Sequence, residues 1–338
     1  MTYRHVVITQ HGAPSVLQTV EDALPDPKAG EVRVKILATA VAYTDILIRK
    51  GLYPGIPKPP VTPGYDLVGE VDALGPGVTD LAIGQRVAAL TVIGSYGEFL
   101  CLPTTELVPV PDAVDPAEAA TLVLHDVTAY QMLHRVAQVK SGDRILVHGI
   151  AGGVGIALLQ LARLQGVEVY GTASAGKHPL IRQLGGIPID YRQEDFVPRI
   201  RELAPVGVDA VFDLVGGNHL FRSYQVLRPR GILVSFGFLA AAKATHHRKL
   251  KLLYHFLCLG LLSALRWKGR KVTFYSITAL KQQHPEWFRQ DLTTLLDHLA
   301  QGQLCPIIAQ RLPLSAAQQA QTLLEQAAVS GSLVLLCH

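Results

Sequence analysis

Over roughly the first 120 positions, apolar residues come in short alternating runs broken by Pro and Gly, at Glu31–Ala38, Asp66–Leu74, Arg86–Leu90 and Gly97–Cys101. A period of two punctuated in this way predicts an irregular antiparallel domain. From Arg144 the pattern changes. The apolar run Ile145–His148 is followed by a glycine turn, helix-periodic Ile156–Gln165 and a second run at Val167–Gly171. The alternation continues as Leu180–Leu184 (helix), Ile187–Asp190 (strand), Phe196–Leu203 (helix), Val208–Leu214 (strand), Leu220–Leu227 (helix) and Gly231–Phe236 (strand). Strands alternating with helices predict parallel βαβ units, so the fold class is α/β with a doubly wound parallel sheet. An edge strand is expected at Val272–Ile277. Beyond it come a helix at Pro285–Ala300, a strand near Ile307, a helix at Ser315–Ala328 and a last strand at Leu333–Leu336, all expected to return to the first domain.

The 338 residues suit two cores better than one, and 49% hydrophobic against 17% charged residues is a globular composition. Cys101, Cys258, Cys305 and Cys337 are scattered with no C-x-x-C spacing, which fits a reducing compartment and offers no zinc knuckle. Met1–His5 runs directly into a strand-like Val6-Val7-Ile8 without the features of a signal peptide, and a cytoplasmic protein is expected. The net charge of +4 hides an asymmetry. Between Leu214 and Pro285 there are 12 Lys or Arg and no acid, leaving 19 basic and 27 acidic residues elsewhere. That segment is expected either to face something anionic or to form a basic, solvated surface.

The strongest chemical signal is Gly149-Ile150-Ala151-Gly152-Gly153-Val154-Gly155, between a buried strand and a helix. Glycines there let backbone N–H groups approach a pyrophosphate, whose charge the helix N-terminus stabilises. Gly152, Gly153, Val154 and Gly155 are therefore the expected cofactor cradle. About 20 residues further on, an NAD site usually carries Asp or Glu for the ribose 2′-hydroxyl. This chain has Thr172-Ala173-Ser174, then Lys177, with Tyr191 after the next strand. A hydroxyl and an ammonium in place of an acid suit a 2′-phosphate, so NADPH is expected, with Ser174, Lys177 and Tyr191 around it. Phe236, Gly237 and Phe238 end the fifth strand, where the nicotinamide half would lie, although the rings could equally be core.

The order of these motifs, together with Asp45–Tyr53, Pro63–Val71 and Leu124–Tyr130, resembles the medium-chain dehydrogenase/reductase superfamily over nearly the full length. Within it the chain is similar to the zinc-free quinone oxidoreductase and enoyl-reductase branch, which includes VAT-1-like proteins. The resemblance implies a GroES-like catalytic domain over 1–122, a Rossmann NADP-binding domain over 123–277 with an apolar-basic insertion at about 243–271, and a return to the catalytic domain over 278–338. It also implies hydride transfer to a quinone or α,β-unsaturated carbonyl, and a homodimer. Zinc-dependent members carry Cys before a Thr-Asp pair and a later Gly-His-Glu; here Ala42 precedes Tyr43-Thr44-Asp45, and Tyr65-Asp66 follow Gly64, so no metal is expected. Ala42 also replaces the Asn of many quinone oxidoreductases, and Gly331-Ser332 replaces their Gly-Lys.

By the resemblance, Tyr53 matches a tyrosine lining the cleft and is the first candidate proton donor, with Tyr43 and Tyr65 next. Thr128 matches a threonine beside the nicotinamide. Packing accounts for each of these four equally well. A zinc-free ketone or alcohol oxidoreductase, and a membrane-associated nucleotide-binding protein with little catalysis, stay open as alternatives. Leu250–Leu265 is apolar between Arg248, Lys249 and Lys251 on one side and Arg266, Lys268, Arg270 and Lys271 on the other. It is shorter than a bilayer span of about 20 residues. A cover for the substrate cleft, a dimer contact and a peripheral membrane contact all remain readings of it. Nucleic acid is not an expected partner, since the cations surround an apolar stretch instead of alternating with aromatics.

Overall fold

The computed structural model describes residues 1–244 and 246–337, and of Lys249 the backbone only. The chain forms two compact units, Met1–Val127 together with the chain from Glu286 onward, and Thr128–Pro285.

In the first unit a seven-stranded sheet runs in the order Ile308–Pro313, Ser332–Leu336, Glu31–Val41, Asp66–Leu74, Arg86–Leu90, Val108–Pro109, with Phe99–Pro103 also paired to Glu31–Val41. Apart from the parallel pair of Ile308–Pro313 with Ser332–Leu336, these ladders are antiparallel. Alternation in Glu31–Val41 buries Val32, Val34 and Ile36 fully, which fixes the register of the central strand. The hairpin Thr2–Ile8 with Leu17–Ala23 stands beside this sheet as a separate ladder.

The second unit is a six-stranded, wholly parallel sheet, ordered Ile187–Asp190, Glu168–Ala173, Arg144–His148, Val208–Asp213, Leu227–Ser235, Lys271–Phe274. The strand order reverses between Arg144–His148 and Val208–Asp213, which makes that junction the topological switch point of a doubly wound sheet. The helix Gly153–Leu164 starts directly after the first strand, buries Ile156, Leu158, Leu159 and Ala162, and ends where Gly166 takes φ +72°. The helix Phe196–Leu203 is capped by the Asp195 carboxylate, which accepts from Val197 N at 2.8 Å.

The expected edge strand is shorter than its β-branched run suggested. It covers Lys271–Phe274, and Ile277 instead opens a helix, Ile277–Gln283, because the Ser276 hydroxyl caps it by accepting from Ala279 N. The insertion is a helix too, Arg248–Leu265. One side of it, His255, Cys258, Leu259 and Leu262, is buried. Cys258, Leu259 and Leu262 pack into the core of this unit with Tyr224, Val226, Leu227 and Leu233. Of the flanking cations, Arg270 does not face solvent. It is 6% exposed, its guanidinium donates to the Leu227 carbonyl, and it lies over the rings of Tyr224 and Trp267. The Lys249 side chain lies outside the described residues.

Candidate functional site

At the switch point, Gly149 takes φ +70° and its carbonyl accepts from Gly152 N at 3.0 Å, which folds the chain back on itself before the helix begins. The first-turn amides, those of Gly153, Val154 and Gly155, have no intrahelical acceptor and point out of the helix N-terminus toward any anion placed there. The glycines differ in what they permit. A Cβ on Gly155 would fall 2.5 Å from the Gly149 carbonyl oxygen and 2.6 Å from Ile150 Cα, whereas one on Gly152 would meet nothing nearer than 3.5 Å. Gly171, on the neighbouring strand, faces the Ile150 side chain instead, since its Cβ would lie 2.3 Å from Ile150 Cδ1. The turn is thus pressed against the helix through its backbone and against the sheet through the Ile150 side chain.

The next two strand ends lie side by side, because Asp190 pairs with Ala173. Ser174 precedes the short turn Ala175–Lys177 without capping it through its side chain. Lys177 is partly buried, and Tyr191 is 56% exposed. Arg192, which the sequence pattern did not single out, has its guanidinium 5.8 Å from the centre of the Tyr191 ring. Burial first, and then the charge of Arg192, push the Lys177 ammonium below its ordinary pKa. Arg192 thus acts on Lys177 as a second positive charge, and the sequence has no acid at the position usual for an NAD site.

Phe236, Gly237 and Phe238 follow the fifth strand, which ends at Ser235. A Cβ on Gly237 would lie 2.9 Å from the Leu214 carbonyl oxygen, so the two loops after Val208–Asp213 and Leu227–Ser235 touch through this glycine. Beneath them lies a polar network that sequence reading missed. The Asp213 carboxylate accepts from Val215 N and Gly216 N at 2.7 and 3.0 Å, and from Ser223 Oγ at 2.6 Å. His219 Nδ1 is 2.8 Å from the same carboxylate. His148 is hydrogen-bonded through its two ring nitrogens to Thr172 and Ser223, each at 3.1 Å, and Gly149 N donates to Thr172 Oγ1 at 3.3 Å. The network therefore ties the glycine turn to the loop after the fourth strand. Among the described residues, His148, Asp213 and His219 are also the one group of side chains close enough to share a metal ion. The hydrogen bond between His219 and Asp213, and those of His148 and Asp213 with the Thr172 and Ser223 hydroxyls, account for the cluster without one.

Burial would raise the Asp213 carboxyl, but the hydrogen bond from His219 and the surrounding histidines hold it below the usual carboxylate range. Burial pushes His148 down to about 3 and His125, in the other unit, down to about 4. An unfolded chain binds protons on these imidazoles from about pH 6.5, while the folded chain refuses them until near pH 3 to 4. Their contribution to stability is therefore complete above pH 6.5 and lost as pH falls through that window, with Asp213 adding a loss in the same direction below about pH 4. Asp45, Asp66 and Asp126, whose carboxyls burial raises, act in the opposite sense over the same range, so the histidine contribution is read as a difference between variants. His148→Gln should lower stability at pH 7 by about 1–3 kcal/mol, and its deficit against the wild type should narrow as the pH falls from 6.5 to 4, an outcome that equilibrium unfolding at several pH values checks.

In the first unit the structure brings two of the candidate tyrosines together. The hydroxyls of Tyr53 and Tyr65 are 2.5 Å apart, with the rings edge to face at 5.9 Å. Tyr65 is buried and Tyr53 half-buried. Tyr43 opens the helix Tyr43–Arg49 and is half-buried, and Thr128 is a buried residue of the other unit. Asp45 has a positioning role. Its carboxylate accepts from Ala42 N at 2.9 Å, Gly64 N at 3.1 Å and the Tyr96 hydroxyl at 3.2 Å, binding the two loops that carry Tyr43 and Tyr65. Burial raises its pKa to about 7 against the pull of those three donors. Asp66 accepts from Ala40 N at 2.7 Å, and burial raises its pKa well above the ordinary value. Neither arrangement fits a catalytic zinc. Ala42 brings no ligand atom, the Tyr65 hydroxyl is taken by Tyr53, and Asp66 is one carboxylate where a tetrahedral site needs three protein ligands.

Comparison with known proteins agrees with this geometry. The alcohol dehydrogenase GroES-like domain family matches residues 28–112, and the zinc-binding dehydrogenase family matches residues 186–335. The chain is 34% identical over 341 residues to the synaptic vesicle membrane protein VAT-1 homolog of Danio rerio, covering 99% of this chain and 70% of that protein. The matches to the rat and human VAT-1 homologs, at 39% identity, cover only 55% and 57% of those proteins. A quinone oxidoreductase of Pseudomonas aeruginosa is 33% identical over 98% of this chain and 99% of its own length. The crystal structure of Escherichia coli quinone oxidoreductase complexed with NADPH superposes with a TM-score of 0.87 at 31% identity, covering 98% of this chain and 99% of that one. The chain belongs to the medium-chain dehydrogenase/reductase superfamily, in its branch of VAT-1 homologues and quinone oxidoreductases.

Proposed function

We propose that this protein is a zinc-independent, NADPH-dependent reductase that delivers hydride to a quinone or to the β-carbon of an α,β-unsaturated carbonyl. The observation that carries the reading is the glycine turn at the switch point, with Lys177 and Arg192 at the adjoining strand ends. Gly152, Gly153, Val154 and Gly155 would hold the pyrophosphate. Ser174, Lys177, Tyr191 and Arg192 would hold the 2′-phosphate, and Phe236–Phe238 with Thr128 would lie toward the nicotinamide. Bound NADPH supplies the hydride. The protein's part is to hold the acceptor and furnish a proton to the enolate or phenolate oxygen that develops. Tyr53, with Tyr65 behind it, is the donor we assign. Quinones and enones spread the incoming charge over a conjugated system, so a hydroxyl donor serves where an isolated ketone would ask for a Lewis acid. The edge strand Lys271–Phe274 supports a homodimer, since an unpaired strand edge is a template for a second copy.

NADPH oxidation against a panel of quinones, enones and aldehydes tests the proposal. Turnover of the first two classes supports it, and inactivity on the whole panel overturns it. Product analysis with deuterium-labelled NADPH separates C=C from C=O reduction. The cofactor assignment has its own test. Lys177→Ala and Arg192→Ala should each weaken NADPH by about ten-fold, the value of one charge-assisted hydrogen bond, and leave NADH nearly unchanged. Equal losses for both cofactors would place these cations outside the 2′-phosphate site.

A further inference from the structure

The insertion helix Arg248–Leu265 reaches the loop after the fourth strand through two consecutive side chains. His255 Nδ1 accepts from Gly217 N at 3.2 Å, and the Tyr254 hydroxyl donates to Asn218 Oδ1. The start of that loop is held from other sides. The Val215 and Gly216 amides go to Asp213, and the Leu214 and Val215 carbonyls accept from Leu239 N and Ala240 N at 3.0 and 2.9 Å. Gly217 is the step that none of these contacts reaches. Gly216 and Gly217 take φ +77° and +60° in succession, a conformation that glycine adopts freely and that is entropically costly to immobilise. The imidazole also presses on this pair, since a Cβ on Gly216 would fall 2.5 Å from His255 Nδ1.

His255 is 1% exposed and lies among the rings of Phe238, Phe256 and Phe274, with centroids 5.0 to 6.1 Å away. A phenylalanine would suit such surroundings. The histidine instead buries an Nε2 with no hydrogen-bond partner among the described residues, which is unfavourable and is offset by the bond that Nδ1 makes. Burial, against the weaker pull of Asp213, lowers the imidazole pKa and so favours the neutral ring whose Nδ1 can accept. The loop also borders the glycine turn. A Cβ on Gly149 would lie 2.5 Å from Leu214 Cδ2, whereas one on Gly217 would meet nothing within 4 Å, so Gly217 faces open space at the carboxyl edge of the sheet, beside the switch point. We propose that His255 is a positioning residue for the dinucleotide: by fixing Gly217 it holds the chain from Leu214 to Asn218 as one wall of the cofactor cleft, and through it the insertion helix sets cofactor affinity. The inference rests on the placement of the cofactor at the glycine turn. Because it is buried, His255 acts through the Gly217 amide and not by contact with the cofactor.

Titration calorimetry with NADPH and NADH on the full chain tests this. His255→Phe keeps an aromatic ring and removes the acceptor. It should weaken both cofactors by about ten-fold, because the loop is no part of the 2′-phosphate site, and raise the KM for NADPH by about the same factor with kcat nearly unchanged. His255→Asn brings a carboxamide oxygen close to the place of Nδ1 and should bind within about three-fold of the wild type. That rescue separates a hydrogen bond from mere filling of the core, which the shorter side chain does less well than Phe. Binding by His255→Phe equal to the wild type overturns the proposal, and so does a loss in His255→Asn as large as that in His255→Phe. If a circular dichroism melt shows His255→Phe to be unfolded, Tyr254→Phe decides. Tyr254 is 46% exposed, and its substitution frees Asn218. A loss of about three-fold supports the proposal, and unchanged affinity overturns it. A wild-type chain that binds neither cofactor overturns the placement of the cofactor itself, and this inference with it.

Discussion

Gly155→Ala is expected to weaken NADPH binding by on the order of a hundred-fold or more, and NADH binding by the same factor. The added methyl group would sit 2.5 Å from the Gly149 carbonyl oxygen and 2.6 and 2.7 Å from Ile150 Cα and C. All three neighbours are backbone, so no side chain can swing away, and the turn itself has to open. Opening it displaces the first-turn amides from the pyrophosphate, where each charge-assisted hydrogen bond is worth about 1.5–3 kcal/mol. Losing two of them gives the predicted factor. Gly152→Ala is the internal control. Its Cβ would lie 3.5 Å from the nearest atom, and φ is already −85°, so only a few-fold change is expected. Titration calorimetry with both cofactors reads the contrast, and a circular dichroism melt confirms that the variants are folded. Comparable affinity for Gly155→Ala and the wild type would show that the pyrophosphate lies elsewhere. The response to NADH distinguishes this substitution from Lys177→Ala and Arg192→Ala, which act on the 2′-phosphate alone.

What could be read from the sequence was what local chemistry determines. Strands such as Asp66–Leu74, Arg86–Leu90 and Ile187–Asp190 keep their expected bounds because alternation or a short apolar run between turn residues leaves one register. The glycine turn was legible because strand, glycines and helix are contiguous. The network of His148, Thr172, Asp213, His219 and Ser223 was not, since five residues spread over 76 positions meet only when three parallel strands are laid side by side. Arg192 was hidden for a related reason. Nothing in its own stretch marks it, and its relation to Lys177 arises from the pairing of Asp190 with Ala173. At Ile277 two signals competed, a β-branched run and a Ser cap, and the cap prevailed once the last strand had met its partner's end at Ser235. The insertion was recognisable as apolar and basic, but its division into a buried side and an exposed side became visible only with the helix formed.

The second large effect is expected at the tyrosine pair. With the two hydroxyl oxygens 2.5 Å apart, one O–H donates to the other, and the accepting hydroxyl keeps its own hydrogen for a third partner. We assign that outward hydrogen to Tyr53, because Tyr65 is 1% exposed and Tyr53 is half-buried. Removing a general acid typically lowers turnover by 10²–10⁴-fold, so Tyr53→Phe should reduce kcat by about a hundred-fold with little change in KM. Tyr65→Phe should lower kcat by about ten-fold, since it deprives Tyr53 of the donor that polarises it. The double variant should be no slower than Tyr53→Phe alone, because the two groups act through one proton. Steady-state kinetics on an enone and a quinone measure all three. If Tyr53→Phe keeps full turnover, the pair is packing and the proton comes from another group. If the two losses multiply, Tyr65 reaches the reacting atoms on its own.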